Sequence, residues 1–172
     1  MEGPCVELGS GLGLCGVTLA KFGKLQADDG RPLTVLCTDG NHNLLPMIQA
    51  NAELNGVSEL VQVAPLSWGQ RDQLDQVQEL LGTTRPCLVI GSDLAYYLSS
   101  MDALVETICA LDAERTVLSV RPRIPDAEGQ STELKMLSEK CAQAGLHIEV
   151  LRTEGTPPMD AIFVLELTRR KR

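Results

Sequence analysis

The sequence predicts an α/β protein built on a doubly wound, mostly parallel sheet with helices on both faces. Short β-rich runs alternate with stretches of helical periodicity, and this alternation repeats five times along the chain. Two further β-rich runs follow, joined by a loop predicted at 153–160, and they indicate an antiparallel C-terminal strand. The 172 residues, of which 44% are apolar, are enough for about one domain of ~150 residues with a sizeable core.

Seven strands and five helices are expected. The strands correspond to short apolar runs, at 5–8, 33–38, 60–64, 87–91, 116–120, 147–151 and 161–167. The helices correspond to the periodic stretches between them, at 14–25, 43–54, 70–81, 101–111 and 131–144. The unbroken apolar centre of the second strand suits a parallel strand that is buried on both faces.

Capping and stop residues mark the ends of several helices. Asn43 is expected to cap the second helix, with Pro46 tolerated in its first turn. Asn55-Gly56 is expected to end that helix, because both residues accept the left-handed backbone of a helix stop. Gly82 and Gly145 are expected to end the third and fifth helices in the same way.

Charge and composition narrow the class of protein. Asp and Glu outnumber Lys and Arg by 23 to 15, so the net charge is −8. Nucleic acid is therefore not expected as the main partner, because proteins that bind duplexes usually present a basic face. No apolar run approaches the ~20 residues of a membrane span, and no signal-peptide pattern is present. The basic run at 169–172 is expected to be a solvated terminus.

Metal and disulfide chemistry are not expected either. The six cysteines contain no C-x-x-C pair and most lie in apolar runs, while His42 and His147 stand alone in the sequence. Buried reduced thiols are typical of a cytoplasmic protein, with the nucleus as the other compartment. We therefore expect reduced cysteines and no metal site. We also expect no membrane association and a monomer.

A glycine-rich turn follows the first strand. The chain reads Glu7-x-Gly9-x-Gly11-x-Gly13, the acidic motif of S-adenosylmethionine enzymes, and also Gly11-x-Gly13-x-x-Gly16, the dinucleotide fingerprint. A pyrophosphate needs bare N–H groups at a helix N-terminus, and the Glu7 carboxylate would repel it. The same carboxylate suits a ligand that carries an ammonium and a sulfonium, so the motif favours S-adenosylmethionine over NAD. A simple tight turn is the remaining alternative.

Asp39 is placed at the carboxyl end of the second strand. An acid at this position accepts hydrogen bonds from the ribose hydroxyls of an adenosine. Because NAD and S-adenosylmethionine both contain that ribose, Asp39 predicts an adenosine without choosing the cofactor. The alternative role is a cap for the following helix.

Aromatic and acidic residues follow the third and fourth strands. Trp68, the single tryptophan, lies in a loop where its indole can pack on an adenine or simply fill the rim of the core. Asp93 comes after the fourth strand, and Tyr96 can return to the same side if the turn is helix-like. A carboxylate with a phenol is a plausible clamp for a lysine ammonium, and the alternative is a helix cap with a packing tyrosine.

These motifs together resemble the seven-strand protein-lysine methyltransferases. The glycine motif alone is typical of the broad class I S-adenosylmethionine-dependent methyltransferases, whereas Asp93-x-x-Tyr96 with Trp68-Gly69 is more specific. The resemblance is to the methyltransferase-like protein 21 type, which includes calmodulin-lysine and elongation-factor-lysine enzymes, and it is best over 5–111. It implies a Rossmann-like seven-stranded sheet, S-adenosyl-L-methionine as cofactor, S-adenosyl-L-homocysteine as product and a protein substrate that presents a lysine.

The resemblance also implies which residues bind the cofactor. They would be Glu7, Gly9, Ser10, Gly11, Asp39, Trp68 and Ser92. In this assignment Glu7 lies near the ammonium of the cofactor, and Asp39 holds the ribose. Trp68 and Ser92 flank the adenine, while the glycine turn lines the methionine part.

Asp93 and Tyr96 would be the catalytic residues, because in the family they shape the pocket for the substrate lysine. A neutral amine would attack the sulfonium methyl in line, and Asp93 would capture and orient the lysine rather than remove its proton. In the family a segment before the first strand helps to cover the cofactor. Here the first strand begins within five residues of Met1, so we expect a single methyltransferase domain over 1–172 without that segment.

The main expectation is therefore N-methylation of lysine in a non-histone protein. Two alternatives share the fold: a degenerate methyltransferase that only binds partners, and a small-molecule methyltransferase. An NAD-dependent oxidoreductase would need a pair such as Tyr-x-x-x-Lys, but neither Tyr96 nor Tyr97 has a lysine four residues on.

Overall fold

The computed structural model describes residues 3–26, 32–156 and 160–169. Its strands are β1 (Cys5–Leu8), β2 (Val35–Asp39), β3 (Val61–Pro65), β4 (Leu88–Ser92), β5 (Arg115–Val120), β6 (Leu146–Thr156) and β7 (Asp160–Arg169). Its α-helices are α1 (Leu14–Gln26), α2 (Leu45–Leu54), α3 (Arg71–Leu81), α4 (Met101–Leu111) and α5 (Thr132–Gln143). Short 3₁₀ turns at His42–Leu44 and Leu98–Ser100 lead into α2 and α4.

Within the described residues the strands form one seven-stranded sheet in the order β3-β2-β1-β4-β5-β7-β6. The five strands from β3 to β5 are parallel, and β7 runs antiparallel to both β5 and β6. The chain builds outward from β1 to β3 and then returns to place β4 on the other side of β1. The predicted fold class is therefore confirmed, and the switch point, where such sheets bind ligands, lies between β1 and β4.

Helices cover the two faces of the sheet with separate cores. On one face α1 and α2 bury Val17 and Ile48 against the central strands. On the other face α3, α4 and α5 bury Leu74, Leu104 and Leu137. This two-sided burial explains why apolar residues follow one another in the central strands rather than occurring only at alternate positions.

Helix and strand bounds agree with the sequence prediction to within two residues, with β6 as the exception. The predicted loop at 153–160 is wrong, because Thr156 of β6 already pairs with Asp160 of β7. The strands therefore reach almost to the turn, and the two prolines of the loop, at 157 and 158, lie outside the described residues. Residues 170–172 of the basic run also lie outside them.

The predicted cap of the second helix is also wrong. The Asn41 side chain accepts a hydrogen bond from the Asn43 N–H at 3.1 Å and opens the 3₁₀ turn before α2. A short amide side chain that bonds the backbone two residues further on is typical of an Asx turn. Within the described part of the chain, no helix is long and apolar enough to cross a bilayer.

Candidate active site

The turn between β1 and α1 is a backbone cradle at the carboxyl end of the central strand. Gly9, Gly11 and Gly13 have φ of +58°, +57° and +80°, values that side-chain-bearing residues rarely adopt. The Ser10 N–H donates to the Thr38 carbonyl at 2.8 Å, which ties the turn to β2. A Cβ added at Gly11 would have no heavy atom within 4 Å, so the backbone there is open to close approach by a ligand.

Glu7 faces away from this opening, toward α1. Its side chain is only 3% exposed, and Oε2 accepts a hydrogen bond from the Gly16 N–H at 3.0 Å in the first turn of the helix. Burial raises the pKa of the Glu7 carboxyl, and hydrogen bonds, first from Ser10 and then from Cys37, oppose that rise. The contact that the structure gives Glu7 is thus with the helix N-terminus, which a carboxylate stabilises.

The tight fit around Gly16 predicts a loss of stability in Gly16→Ala. An added Cβ would lie 2.6 Å from Glu7 Oε2 and still closer to the Cys37 sulfur. Although alanine is the better helix former, we expect overpacking to lower the free energy of unfolding by about 1–3 kcal/mol. Urea denaturation measures this loss. In the double variant, Cys37→Ala removes part of the clash, so its loss in free energy of unfolding should be smaller than the sum of the two single losses. Fully additive losses would contradict the packing explanation.

Asp39 joins the end of β2 to the glycine turn. Its Oδ2 accepts a hydrogen bond from the Gly11 N–H at 2.8 Å, and its Oδ1 accepts one from the Asn41 N–H at 2.8 Å. An ionised carboxylate has about four lone-pair sites, so each oxygen can still accept a hydroxyl. Asp39 therefore presents an acceptor beside the open backbone of Gly11, where a ribose would need one.

Trp68 borders the same turn at Gly9. A Cβ at Gly9 would stand 3.6 Å from the indole Cζ2 of Trp68 and 2.6 Å from Leu94 Cδ2. Both side chains therefore lie against the backbone of Gly9, directly after β1. The half-buried Trp68 ring thus borders the opening formed by Gly9, Gly11 and Asp39, with Leu94 as its apolar floor.

The residues after β4 are held by β5. The Ser92 hydroxyl lies 3.5 Å from that of Ser119, and the Asp93 N–H donates to the Ser119 carbonyl at 2.7 Å. Asp93 has φ +60°, a strained conformation for a residue other than glycine that is often found at functional sites. Ser92 is exposed and turned toward β5, whereas the neighbouring Leu94 points to the glycine turn.

Asp93 and Tyr96 come together through a third residue, Arg123. The guanidinium donates from Nη1 to Asp93 Oδ1 at 2.7 Å and from Nη2 to Oδ2 at 2.5 Å, and its Cζ lies 5.8 Å from the centre of the Tyr96 ring. The Arg123 guanidinium holds the pKa of the Asp93 carboxyl below its usual range. Tyr96 remains 44% exposed, and Leu94, between Asp93 and Tyr96 in the chain, lies against Gly9 of the glycine turn.

Sequence reasoning missed Arg123 and Leu94. Site residues were expected at the ends of the first four strands, whereas Arg123 follows β5. The sequence feature that could have identified Arg123 is a pair of cations, Arg121 and Arg123, directly after a buried strand of an acidic protein. Leu94 resembles any other core leucine in sequence, so only the contact above Gly9 distinguishes it.

The arrangement provides hydrogen-bond acceptors, an aromatic wall and a cation-balanced carboxylate around one opening. Within the described ranges, no group of three or more His, Cys, Asp or Glu residues could hold a metal ion. All six cysteines are free thiols. Such a site can bind a nucleoside and orient an amine at its rim, without an activated protein nucleophile.

Solved structures similar to this fold include methyltransferases. Magnesium protoporphyrin IX methyltransferase from Synechocystis, solved with SAH bound, has a TM-score of 0.66 and 17% identity, covering 97% of this chain and 74% of that one. A SAM-dependent methyltransferase from Aquifex aeolicus has a TM-score of 0.67 and 12% identity, covering 96% of this chain and 81% of that one. At these identities the likeness defines the fold, that of the class I methyltransferases.

The sequence comparison is more specific. The profile of a family described as lysine methyltransferase matches residues 2–140. The protein N-lysine methyltransferase METTL21A of Danio rerio is 30% identical over 133 residues, which are 76% of this chain and 55% of that protein. The chain belongs to the lysine methyltransferase family, and the resemblance seen in its motifs is confirmed. It spans about half the length of this curated relative.

Proposed function

We propose that this protein is an S-adenosylmethionine-dependent N-methyltransferase for a lysine of a non-histone protein. The choice of cofactor rests on one observation: backbone N–H groups of the glycine turn and of the helix after it already donate hydrogen bonds to carboxylates. The Gly16 N–H donates to Glu7 and the Gly11 N–H donates to Asp39. A dinucleotide pyrophosphate would need such N–H groups bare, and the Glu7 carboxylate beside it would repel it. A cationic adenosyl cofactor meets the same carboxylate favourably.

We assign each part of that cofactor to residues around the glycine turn. In this proposal Asp39 accepts hydrogen bonds from the ribose hydroxyls, and the open backbone at Gly9 and Gly11 lines the methionine part. Trp68 is to flank the adenine, together with the more distant Ser92. Ser10 belongs to the same turn, while Glu7 is to act on the ammonium through its charge rather than by direct contact, because its carboxylate is buried toward α1.

Asp93 and Tyr96 are the residues to hold the substrate lysine. Both stand at the exposed mouth of the switch-point crevice, and Leu94 between them packs above Gly9. When bound, S-adenosylmethionine supplies an electrophilic methyl group on a sulfonium. The chain needs to add only orientation and exclusion of water, and well-oriented reactants can gain up to about 7–11 kcal/mol in this way.

The lysine must reach the methyl group as a neutral amine. Its reference pKa of about 10.4 leaves it almost fully protonated near neutral pH. Partial burial in the crevice and a nearby positive charge both lower that pKa, because each disfavours the ammonium. The proton can then leave to water, so no dedicated base is required of this chain.

Calorimetry with S-adenosylhomocysteine and with NAD tests the cofactor proposal. We expect S-adenosylhomocysteine to bind with a stoichiometry of about one and NAD to give no heat, because of the charge at the turn. Saturable NAD binding without S-adenosylhomocysteine binding would contradict the proposal and favour an oxidoreductase.

Lysate labelling then tests the substrate class. Incubation with methyl-labelled cofactor should place label in protein, recovered as methyllysine after acid hydrolysis, with isolated core histones unlabelled. Label found only in small molecules would favour the small-molecule alternative, and cofactor binding with no transfer would favour a binding module. We propose that the protein acts in the cytoplasm, where cysteine thiols stay reduced. A cytoplasmic lysate is therefore used in this assay.

A further inference from the structure

The Asp93–Arg123 pair is a bidentate ion pair at the mouth of the proposed lysine pocket. Both carboxylate oxygens are engaged, at 2.7 Å and 2.5 Å, and the two side chains are 44% and 45% exposed. A bidentate guanidinium–carboxylate contact fixes the plane and direction of both groups. Asp93 therefore meets a substrate as a charge-balanced group and not as a free anion.

A buried carboxylate holds Arg123 in this position. Glu133, only 1% exposed, accepts hydrogen bonds through Oε1 from the N–H groups of Arg123 at 2.7 Å and Ile124 at 2.9 Å. Its Oε2 accepts from the Ser131 hydroxyl, which itself caps α5 by accepting from the Leu134 N–H. Burial of a carboxylate is costly unless hydrogen bonds satisfy it. The hydrogen bonds to Glu133 therefore hold the loop after β5 in a defined conformation, which supports Arg123.

The charged groups around the mouth come from three segments. Arg121 and Arg123 follow β5, Glu133 lies in the first turn of α5, and Tyr96 follows β4. Arg123 acts most strongly on Asp93, and Arg121 adds a weaker attraction. Because Glu133 is engaged by the loop backbone, the charge of Asp93 is balanced mainly by Arg123.

An unbalanced carboxylate would work against the reaction. The amine nitrogen must donate its lone pair to the methyl carbon while the carbon–sulfur bond breaks and sulfur keeps that electron pair. The product amine then releases its extra proton to water. A free aspartate beside the lysine would stabilise the ammonium, whose lone pair is already used by a proton. A paired aspartate keeps acceptor sites for an N–H without that full opposing charge.

We propose that Arg123 is a positioning residue for methyl transfer: it balances Asp93, so that this carboxylate orients the substrate amine as a hydrogen-bond acceptor without holding it as an ammonium. The inference rests on the proposed function. It adds to that function a role for the loop after β5, acting through Asp93 and the Tyr96 ring.

The pH dependence of Arg123→Gln tests this role. Without the guanidinium, Asp93 stabilises the lysine ammonium, so the rise of methylation with pH should move to higher pH by about one unit. Such a shift corresponds to about tenfold slower methyl transfer near neutral pH, because a change of one unit in the pKa of the lysine changes the fraction of neutral amine about tenfold. The rate should recover near the alkaline end of the range. Arg123→Lys keeps a cation and should retain most of the wild-type profile.

The probe is one cell lysate with methyl-labelled cofactor, assayed from about pH 6.5 to about pH 9.5, below the reference lysine pKa. Methyllysine is counted after hydrolysis, and each variant is compared with wild type on the same lysate. S-adenosylhomocysteine titration should give equal affinity for wild type, Arg123→Gln and Arg123→Lys. The double variant with Asp93→Asn has no charge to balance, so its pH profile should match that of Asp93→Asn alone.

Two results would overturn the inference while leaving the proposed function intact: an unchanged pH profile in folded Arg123→Gln, or a loss of equal size at every pH. The second result would assign Arg123 a purely structural role. If wild-type protein neither binds S-adenosylhomocysteine nor labels lysine, the proposed function itself fails. The two failures are therefore distinguishable within one set of assays.

Discussion

Asp93→Asn is expected to slow methyl transfer on the order of 100-fold while leaving the affinity for S-adenosylhomocysteine nearly unchanged. The change removes the charge that Arg123 pairs with, so both the acceptor for the amine and the guanidinium lose their fixed positions. A displacement of about 1 Å can cost on the order of 100-fold when a reaction depends on alignment. Both Asp93 oxygens accept hydrogen bonds from Arg123, which lies outside the glycine turn, so we expect intact cofactor binding.

Paired measurements check this result. Cofactor titration and lysate methylation are run on wild type, Asp93→Asn and Tyr96→Phe, all with confirmed folding. Tyr96→Phe should lose less activity, because the ring that faces Arg123 remains and only the hydroxyl is removed. Loss of cofactor binding in Asp93→Asn would move Asp93 to the cofactor site. Full methylation in that variant would refute the lysine-pocket assignment.

Asp39→Ala is expected to weaken S-adenosylhomocysteine binding strongly. A hydrogen bond to a charged group contributes about 1.5–3 kcal/mol, so loss of one such bond to the ribose is about a 10- to 150-fold loss of affinity. The variant also frees the Gly11 N–H that now donates to Oδ2, which loosens the turn next to the ligand. Both effects act on cofactor binding, and the lysine pocket is spared.

Calorimetric titration measures the loss, and Asp39→Asn is the matched control. Asparagine keeps one acceptor oxygen of similar reach but no charge, so its affinity should fall between those of wild type and Asp39→Ala. Thermal denaturation of each variant without ligand identifies any loss of folding. Unchanged affinity in folded Asp39→Ala would exclude Asp39 from ribose binding and leave it only the role of tying β2 to the turn.

The sequence predicted the fold and the edge of the sheet on which the site lies because both follow from local patterns. Apolar runs define the parallel strands, and the carboxyl ends of β1 to β4 must share one edge, so Gly9, Asp39, Trp68 and Asp93 could be grouped in advance. The motif alone could not predict which way the Glu7 side chain points. That direction depends on the alternation of side chains along β1 and on how closely α1 packs against the strand.

Contacts between distant segments could not be predicted from such patterns. Arg123 reaches Asp93 from the loop after β5, whose backbone donates two hydrogen bonds to Glu133, ten residues further on. Likewise, the extent of β6 and β7 is set by their mutual pairing rather than by the turn-forming residues between them. Both features depend on how separate elements meet in space.

The position of β7 has a consequence for how the protein reaches its native state on the ribosome. β7 follows β6 in the chain but lies between β5 and β6 in the sheet, with ladders on both sides. Until β7 is synthesised, β5 has an unpaired edge and β6 has no partner, and such edges can pair with other nascent chains. Chaperone demand should therefore be greatest just before β7 emerges from the exit tunnel.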